Sequence, residues 1–145
     1  MSVKDDVALN INELDKEWER QSALMEEYSS ALSTSNREYS NMKLVLDGMT
    51  ARLKMEWREK GEISTPTGKV KLTEGALSDA VDSNEEVTKQ KQLMIEMQFE
   101  IDTLKGIVSA LQNKKSALEA EVSLYLSGYF SSPKDQRTMI KERQR

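Results

Sequence analysis

Residues 11–56 of the chain read INELDKEWERQSALMEEYSSALSTSNREYSNMKLVLDGMTARLKME. With Ile11 at position a of a heptad, 11 of the 14 a and d positions are apolar. A heptad of this length indicates an amphipathic helix. We predict a helix from about residue 8 to about residue 60, roughly 75 Å long at about 1.5 Å per residue.

A second heptad follows from Val87, where 11 of 13 a and d positions through Tyr129 are apolar. Ser83 with Glu86 forms a capping-box pattern, and Gly128 marks a helix stop. These signals predict a helix over about 84–127, with Ser83 as its N-terminal cap.

The segment between the two heptads is rich in Gly, Pro, Ser and Thr, which indicates a loop over 61–72. Thr73 is positioned to cap a short helix over about 73–82. We predict no strand, because β-branched residues rarely cluster or alternate. The fold class is all-α: two long amphipathic helices and a short helix in the connecting elbow, forming one domain over 1–133. Residues 134–145 form a basic tail that we expect to be disordered or to fold on a partner.

The composition excludes most catalytic chemistry. The chain has neither cysteine nor histidine, so it offers no thiolate nucleophile, imidazole base or Cys/His zinc site. Its acidic residues mostly alternate with lysine and arginine along helical faces, which is typical of solvated surfaces. We therefore expect no enzyme, no cofactor and no metal.

Targeting and membrane signals are also missing from the sequence. The first residues have no apolar leader, and no segment approaches about 18 consecutive apolar residues. We expect a soluble, cytoplasmic protein without a membrane partner.

The two seams predict self-association. An isolated pair of helices would leave much of this apolar surface in water, which is unfavourable for a monomer. We expect a helical homo-oligomer whose seam contains Trp18, Met25, Leu32, Tyr39, Leu46, Leu53, Met94, Ile101, Leu104, Val108, Leu111 and Leu118.

Positive charge is concentrated around the elbow. The chain carries a net charge of −4, yet residues 50–71 contain six basic and three acidic side chains. Basic side chains near Trp57 form a candidate phosphate-and-base contact. The alternative is a solvated helix face with pairs such as Glu56 with Lys60. The candidate nucleic-acid-binding residues are Arg52, Lys54, Arg58, Lys60, Lys69 and Lys71.

The order of features resembles the phage recombination mediators of the UvsY type. In that family a first helix ends in Lys-Ala-Arg-Leu, followed by a Gly-containing loop, a short helix, an acidic step and a long final helix. The matching parts here are residues 50–53, 61–68, 77–82 and 85 onward, within a resemblance that covers about residues 18–130. Thr50 stands in place of the family's lysine, and we infer from spacing that Lys54 and Arg58 replace the missing charge.

The resemblance implies a ring-like homo-oligomer that binds single-stranded DNA at Ala51, Arg52 and Leu53. It also implies a non-enzymatic mediator that helps load a RecA-like recombinase onto strands covered by single-strand binding protein. A coiled-coil scaffold or assembly chaperone in phage morphogenesis is the alternative. A prefoldin-like holdase ranks lower, because no β-hairpin is predicted at the helix junction.

Overall fold

The computed structural model describes residues 2–128. The elements in chain order are α1 (Val3–Val7), a 3₁₀ turn (Ile11–Glu13), α2 (Leu14–Lys60), β1 (Glu62–Thr65), β2 (Gly68–Lys71), α3 (Glu74–Ser83) and α4 (Glu85–Leu126). The predicted architecture of a long, a short and a long helix is confirmed. The predicted basic tail over 134–145 lies outside the described residues.

Contacts divide the chain into two compact units, a division that the heptad pattern did not predict. The first unit comprises the described parts of Met1–Ser30 and Lys105–Arg145, and the second comprises Ala31–Leu104. The two long helices contribute to both units, and the elbow belongs entirely to the second.

The first long helix begins later than predicted. Its α-helical part starts at Leu14, and the residues before it form the 3₁₀ turn and the separate helix α1. Ser2 and Asp5 form a capping box around the start of α1, since each side chain bonds the other's backbone N–H. At the other end α2 stops at Lys60 as predicted, and Gly61 follows with a φ of 70° that glycine adopts without strain.

The loop predicted over 61–72 is wrong, because most of it forms an antiparallel β-hairpin. β1 and β2 pair in the register Glu62↔Lys71, Ile63↔Val70, Ser64↔Lys69 and Thr65↔Gly68. Pro66 and Thr67 make the two-residue turn, and the Thr65 hydroxyl donates to the Gly68 carbonyl across it. From the sequence, a prefoldin-like holdase ranks lower because no β-hairpin is predicted at the helix junction. The observed hairpin removes that reason.

The two predicted helix caps have different outcomes. Thr73 caps α3 as predicted, since its hydroxyl accepts from the Ala76 N–H at 3.1 Å. The capping box at Ser83 is wrong, because the Ser83 hydroxyl instead donates to the Asp79 carbonyl within α3. The cap of α4 is Asn84, whose Oδ1 accepts from the backbone N–H groups of residues 86 and 87 at 3.0 and 3.2 Å.

Each unit has its own interior. In the second unit, Ile63 of β1 packs with one residue of α2, two of α3 and one of α4, forming a cluster of Trp57, Ile63, Leu77, Val81 and Val87. In the first unit, Leu24, Leu111 and Leu118 are buried together with polar side chains, including Glu17, Gln21 and Lys114. The seam predicted from the heptads therefore contains polar positions that are enclosed, not solvated.

Most of the predicted seam is at least partly covered within the chain. Ile101, Leu111 and Leu118 are buried, while eight of the remaining seam side chains are intermediate in exposure. Trp18 differs, because it is 48% exposed. It lines an open apolar groove of the first unit together with Ile11, Leu14, Val122, Tyr125 and Leu126.

Candidate nucleic-acid interface

The end of α2 carries four of the six candidate cations, and they lie on both sides of a buried tryptophan. At about 100° per residue, Lys54 and Arg58 lie on one side of Trp57, while Arg52 and Lys60 lie on the other. Trp57 itself is only 6% exposed and packs in the second unit's core. The helix therefore carries basic side chains on both sides of the face that packs into the core.

The hairpin contributes the other two cations on its outer face. Cross-strand partners point to the same side of a sheet, so Ile63 and Val70 share the face that packs toward the core. Lys69 and Lys71 belong to the opposite face, beside Glu62 and Ser64. Both lysines are exposed to solvent as a result.

Three of the six cations are paired with carboxylates. Arg58 contacts Glu74 of α3 at 3.4 Å, and Lys60 contacts Glu56 one helical turn earlier at 2.9 Å. Lys69 contacts Glu62 across the hairpin at 2.8 Å. That hydrogen bond and the charge of Glu62 raise the pKa of Lys69, so its ammonium stays charged at neutral pH.

Arg52, Lys54 and Lys71 form no ion pair with any residue in the range 2–128. Arg52 and Lys71 are exposed, and Lys54 is intermediate. Exposed ion pairs contribute little stability, so the three paired cations are also available to an incoming anion at small cost. The elbow thus offers three cations without an ion pair among residues 2–128 and three that a phosphate can take from a carboxylate.

The proposed base contact at Trp57 is wrong. Its indole is enclosed by Ile63, Leu77, Val81 and Val87, so neither ring face is open to a nucleobase. The sequence placed Trp57 beside the basic residues correctly, but helical spacing could not indicate which flank of α2 the hairpin and α3 would cover.

Two kinds of site residue were missed from the sequence. Glu62 and Glu74 hold cations of the site, although Glu74 is 16 residues from Arg58 along the chain. Ser64 and Thr67 add exposed hydroxyl groups on and beside the hairpin. The Thr-Pro-Thr-Gly turn between short β-branched stretches was the signal that would have predicted the hairpin.

Thr50 stands where the resemblance implied a lysine, and its side chain forms a hydrogen bond within its own helix. Its hydroxyl donates to the Asp47 carbonyl at 2.9 Å. This is the local bonding that threonine makes in helix interiors, and it leaves no cation at this position.

The described part of the chain has neither a metal-binding cluster of acidic residues nor a membrane-spanning helix. Across residues 2–128, no three or more acidic side chains are grouped so that they could bind a metal ion. Within that same range, every helix is too short or too polar to cross a lipid bilayer.

Comparisons with known proteins give one informative match. No family model matches the sequence. No curated protein matches it either. Among solved structures, the chain is similar to the crystal structure of the bacteriophage T4 recombination mediator protein UvsY, with a TM-score of 0.70 at 12% sequence identity. The superposition covers 86% of this chain and 93% of the UvsY chain. The family resemblance inferred from the order of sequence features is thus confirmed at the level of structure: this chain has a UvsY-like fold.

Proposed function

We propose that this protein is a non-enzymatic recombination mediator that binds single-stranded DNA through the elbow. In this role it helps load a RecA-like recombinase onto strands covered by single-strand binding protein. The observation that carries the proposal is the UvsY-like fold, combined with six solvent-accessible cations around one hairpin and helix end.

The charge distribution supports a phosphate-binding role for the elbow. Residues 1–49 carry ten acidic and five basic side chains, whereas residues 50–71 carry six basic and three acidic ones. Phosphate contacts release counterions, so binding weakens by a slope of about 0.7 in log K against log salt for each cation engaged on a single strand. The three cations that have no carboxylate partner in the described part of the chain predict a slope of about 2 for each chain that contacts the strand.

Fluorescence anisotropy of labelled oligo-dT across a salt series tests the site. The double variant Arg52→Ala with Lys54→Ala should weaken binding and reduce the slope by about 1.4, since two cations are lost. The matched control is Lys105→Ala with Lys115→Ala, which removes the same charge from exposed positions on α4 outside the elbow. If both double variants weaken binding equally, the elbow is not the site.

A charge change of the opposite sign gives a second test. Glu62→Gln releases Lys69 from its ion pair and removes a negative charge, so it should tighten binding of oligo-dT and steepen the salt slope. Glu59→Gln is the control, because Glu59 lies on α2 without an ion pair in the described part of the chain. An equal effect of the two changes would point to general electrostatics and away from Lys69.

Self-association is part of the proposal. The apolar groove of the first unit has a volume of about 850 Å³, and its Tyr125 and Leu126 side chains are 70% and 80% exposed. Such surface is costly in a monomer and favours burial against another copy. Light scattering with and without oligo-dT measures the mass of the assembly and its change on binding.

A scaffold or assembly chaperone in phage morphogenesis is the second candidate. It is favoured by the same exposed groove and by the hairpin at the helix junction. An assembly that forms in light scattering, yet binds no oligo-dT at low salt, would support this candidate over the mediator.

A further inference from the structure

The elbow presents no aromatic surface to a bound strand. Trp57 is the single aromatic residue in the range 50–71, and it is 6% exposed within the core. Proteins that bind single strands commonly stack bases on exposed aromatic rings, and each stacked base strengthens binding about fivefold or more. This source of affinity is missing from the elbow.

The hairpin exposes hydrogen-bond donors that suit phosphate. Its outer face carries the ammonium groups of Lys69 and Lys71 with the hydroxyl of Ser64, and the Glu62 carboxylate that pairs with Lys69 lies on the same face. The two ammonium groups and the Ser64 hydroxyl can donate hydrogen bonds to anionic oxygens, and none of them has a flat surface on which a base can stack. The large apolar side chains exposed here, Met55 and Val70, are not aromatic.

Two groups in the elbow, the guanidinium groups of Arg52 and Arg58, have the planar shape needed to stack on a base. Arg52 is exposed and has no carboxylate partner among the described residues, whereas the guanidinium of Arg58 is held by Glu74. An arginine can bind a strand by attracting its phosphates alone, or it can also stack its planar guanidinium on a base. Lysine at the same position keeps the charge but removes both the plane and the fork that binds phosphate, so stacking on bases is separated from phosphate binding by comparing strands with and without bases.

We propose that the elbow binds the phosphodiester chain as a polyanion and does not contact the bases. The inference rests on the proposed function and names its ligand class: any flexible phosphodiester strand, including one without bases. Arg52 acts through its charge in this mode.

The test compares two labelled strands of equal length, oligo-dT and a fully abasic strand of tetrahydrofuran units, by anisotropy across salt. We expect dissociation constants within about threefold of each other and equal salt slopes, since both strands carry the same phosphates. Arg52→Lys and Arg52→Ala should each change binding of the two strands by the same factor, with the larger loss for Arg52→Ala.

The outcomes separate this inference from the proposed function. A loss of tenfold or more on the abasic strand, or an Arg52→Lys change that weakens binding of oligo-dT but not of the abasic strand, would overturn the backbone-only mode while single-strand binding stands. If neither strand binds at low salt, the proposed function of single-stranded DNA binding is itself wrong.

Discussion

Lys114 of α4 and Glu17 of α2 form a buried ion pair in the first unit. The side chains are 1% and 9% exposed, and the Lys114 ammonium also donates to the Asp6 carbonyl at 2.7 Å. Gln21 lies one turn from Glu17 and donates to the Leu111 carbonyl at 2.6 Å. The polar contacts therefore join the N-terminal part of the chain, in α1 and the start of α2, to a part of α4 that lies 90 or more residues away in sequence.

Breaking this pair should destabilise the protein strongly. Lys114→Met leaves the Glu17 carboxylate buried without its cation, which costs about 3–5 kcal/mol in comparable cases. Adding Glu17→Leu removes that unpaired charge, so the double variant should recover most of the loss. The free energy of unfolding is measured by urea denaturation at one fixed protein concentration, because self-association would shift it.

Lys115→Met is the control for the buried pair, since Lys115 is exposed on the same helix. It should change the unfolding free energy by less than about 0.5 kcal/mol. A Lys114→Met variant no less stable than Lys115→Met would show that the pair contributes nothing.

The hairpin should depend on one side chain for its position. Ile63 is fully buried against Trp57 and Leu77, so Ile63→Ala should cost about 2–5 kcal/mol through lost burial and the cavity left behind. Trp57 fluorescence should shift to the red as water reaches the indole. Val70, the cross-strand partner of Ile63, is 44% exposed. Val70→Ala should therefore lower the free energy of unfolding by less than about 1 kcal/mol. Equal losses would mean that the hairpin does not pack through Ile63.

The cap of α4 can be assigned by a pair of substitutions. Asn84→Ala removes the acceptor for two backbone N–H groups and should destabilise the protein by about 0.5–2 kcal/mol. Ser83→Ala removes only a hydroxyl that bonds back into α3, so its effect should be smaller. Thermal unfolding followed by circular dichroism compares the two, and a larger effect of Ser83→Ala would restore the capping box expected from the sequence.

Ionisation of Tyr28 should reduce stability at high pH. Its hydroxyl donates to the Asp6 carboxylate at 2.7 Å, and this hydrogen bond, with burial and the nearby negative charge, raises the pKa of Tyr28. A raised pKa in the folded state means that the contribution is fully present below the unfolded-state value of about 10. It is lost as pH rises through the folded-state pKa.

Tyrosinate absorbance during an alkaline titration measures this directly. Tyr28→Phe should remove the component that titrates at the highest pH and should flatten the dependence of stability on pH in that range. Tyr39→Phe serves as the control, because it retains the Tyr28 contact. If the component lost with Tyr28 titrates at or below the ordinary tyrosine value, the hydrogen bond to Asp6 is not maintained in solution.

Much of this protein could be predicted from local patterns. Two heptads predicted two long helices, Gly61 marked the end of the first, and Thr73 marked the cap of the short one. These signals are readable because helix periodicity and capping depend on neighbours within a few residues. The same order of features was sufficient to indicate the UvsY-like fold.

The hairpin was harder to predict from the sequence than the helices were. Its strands are four residues long, and a two-stranded hairpin is only marginally stable alone. It persists here because Ile63 enters a core built from α2, α3 and α4. The choice of Asn84 over Ser83 as cap is similar, since both residue types cap helices well and the path of the chain selects between them.

What the sequence alone determined is the two long helices, the short helix between them and the concentration of cations at the elbow, because periodicity and composition are local properties. The tertiary structure decided which groups are enclosed and which face water. It buried Trp57 while leaving Arg52 and Lys71 open, and it enclosed Lys114 with Glu17. Burial depends on residues brought together from distant parts of the chain, so no local pattern specifies it.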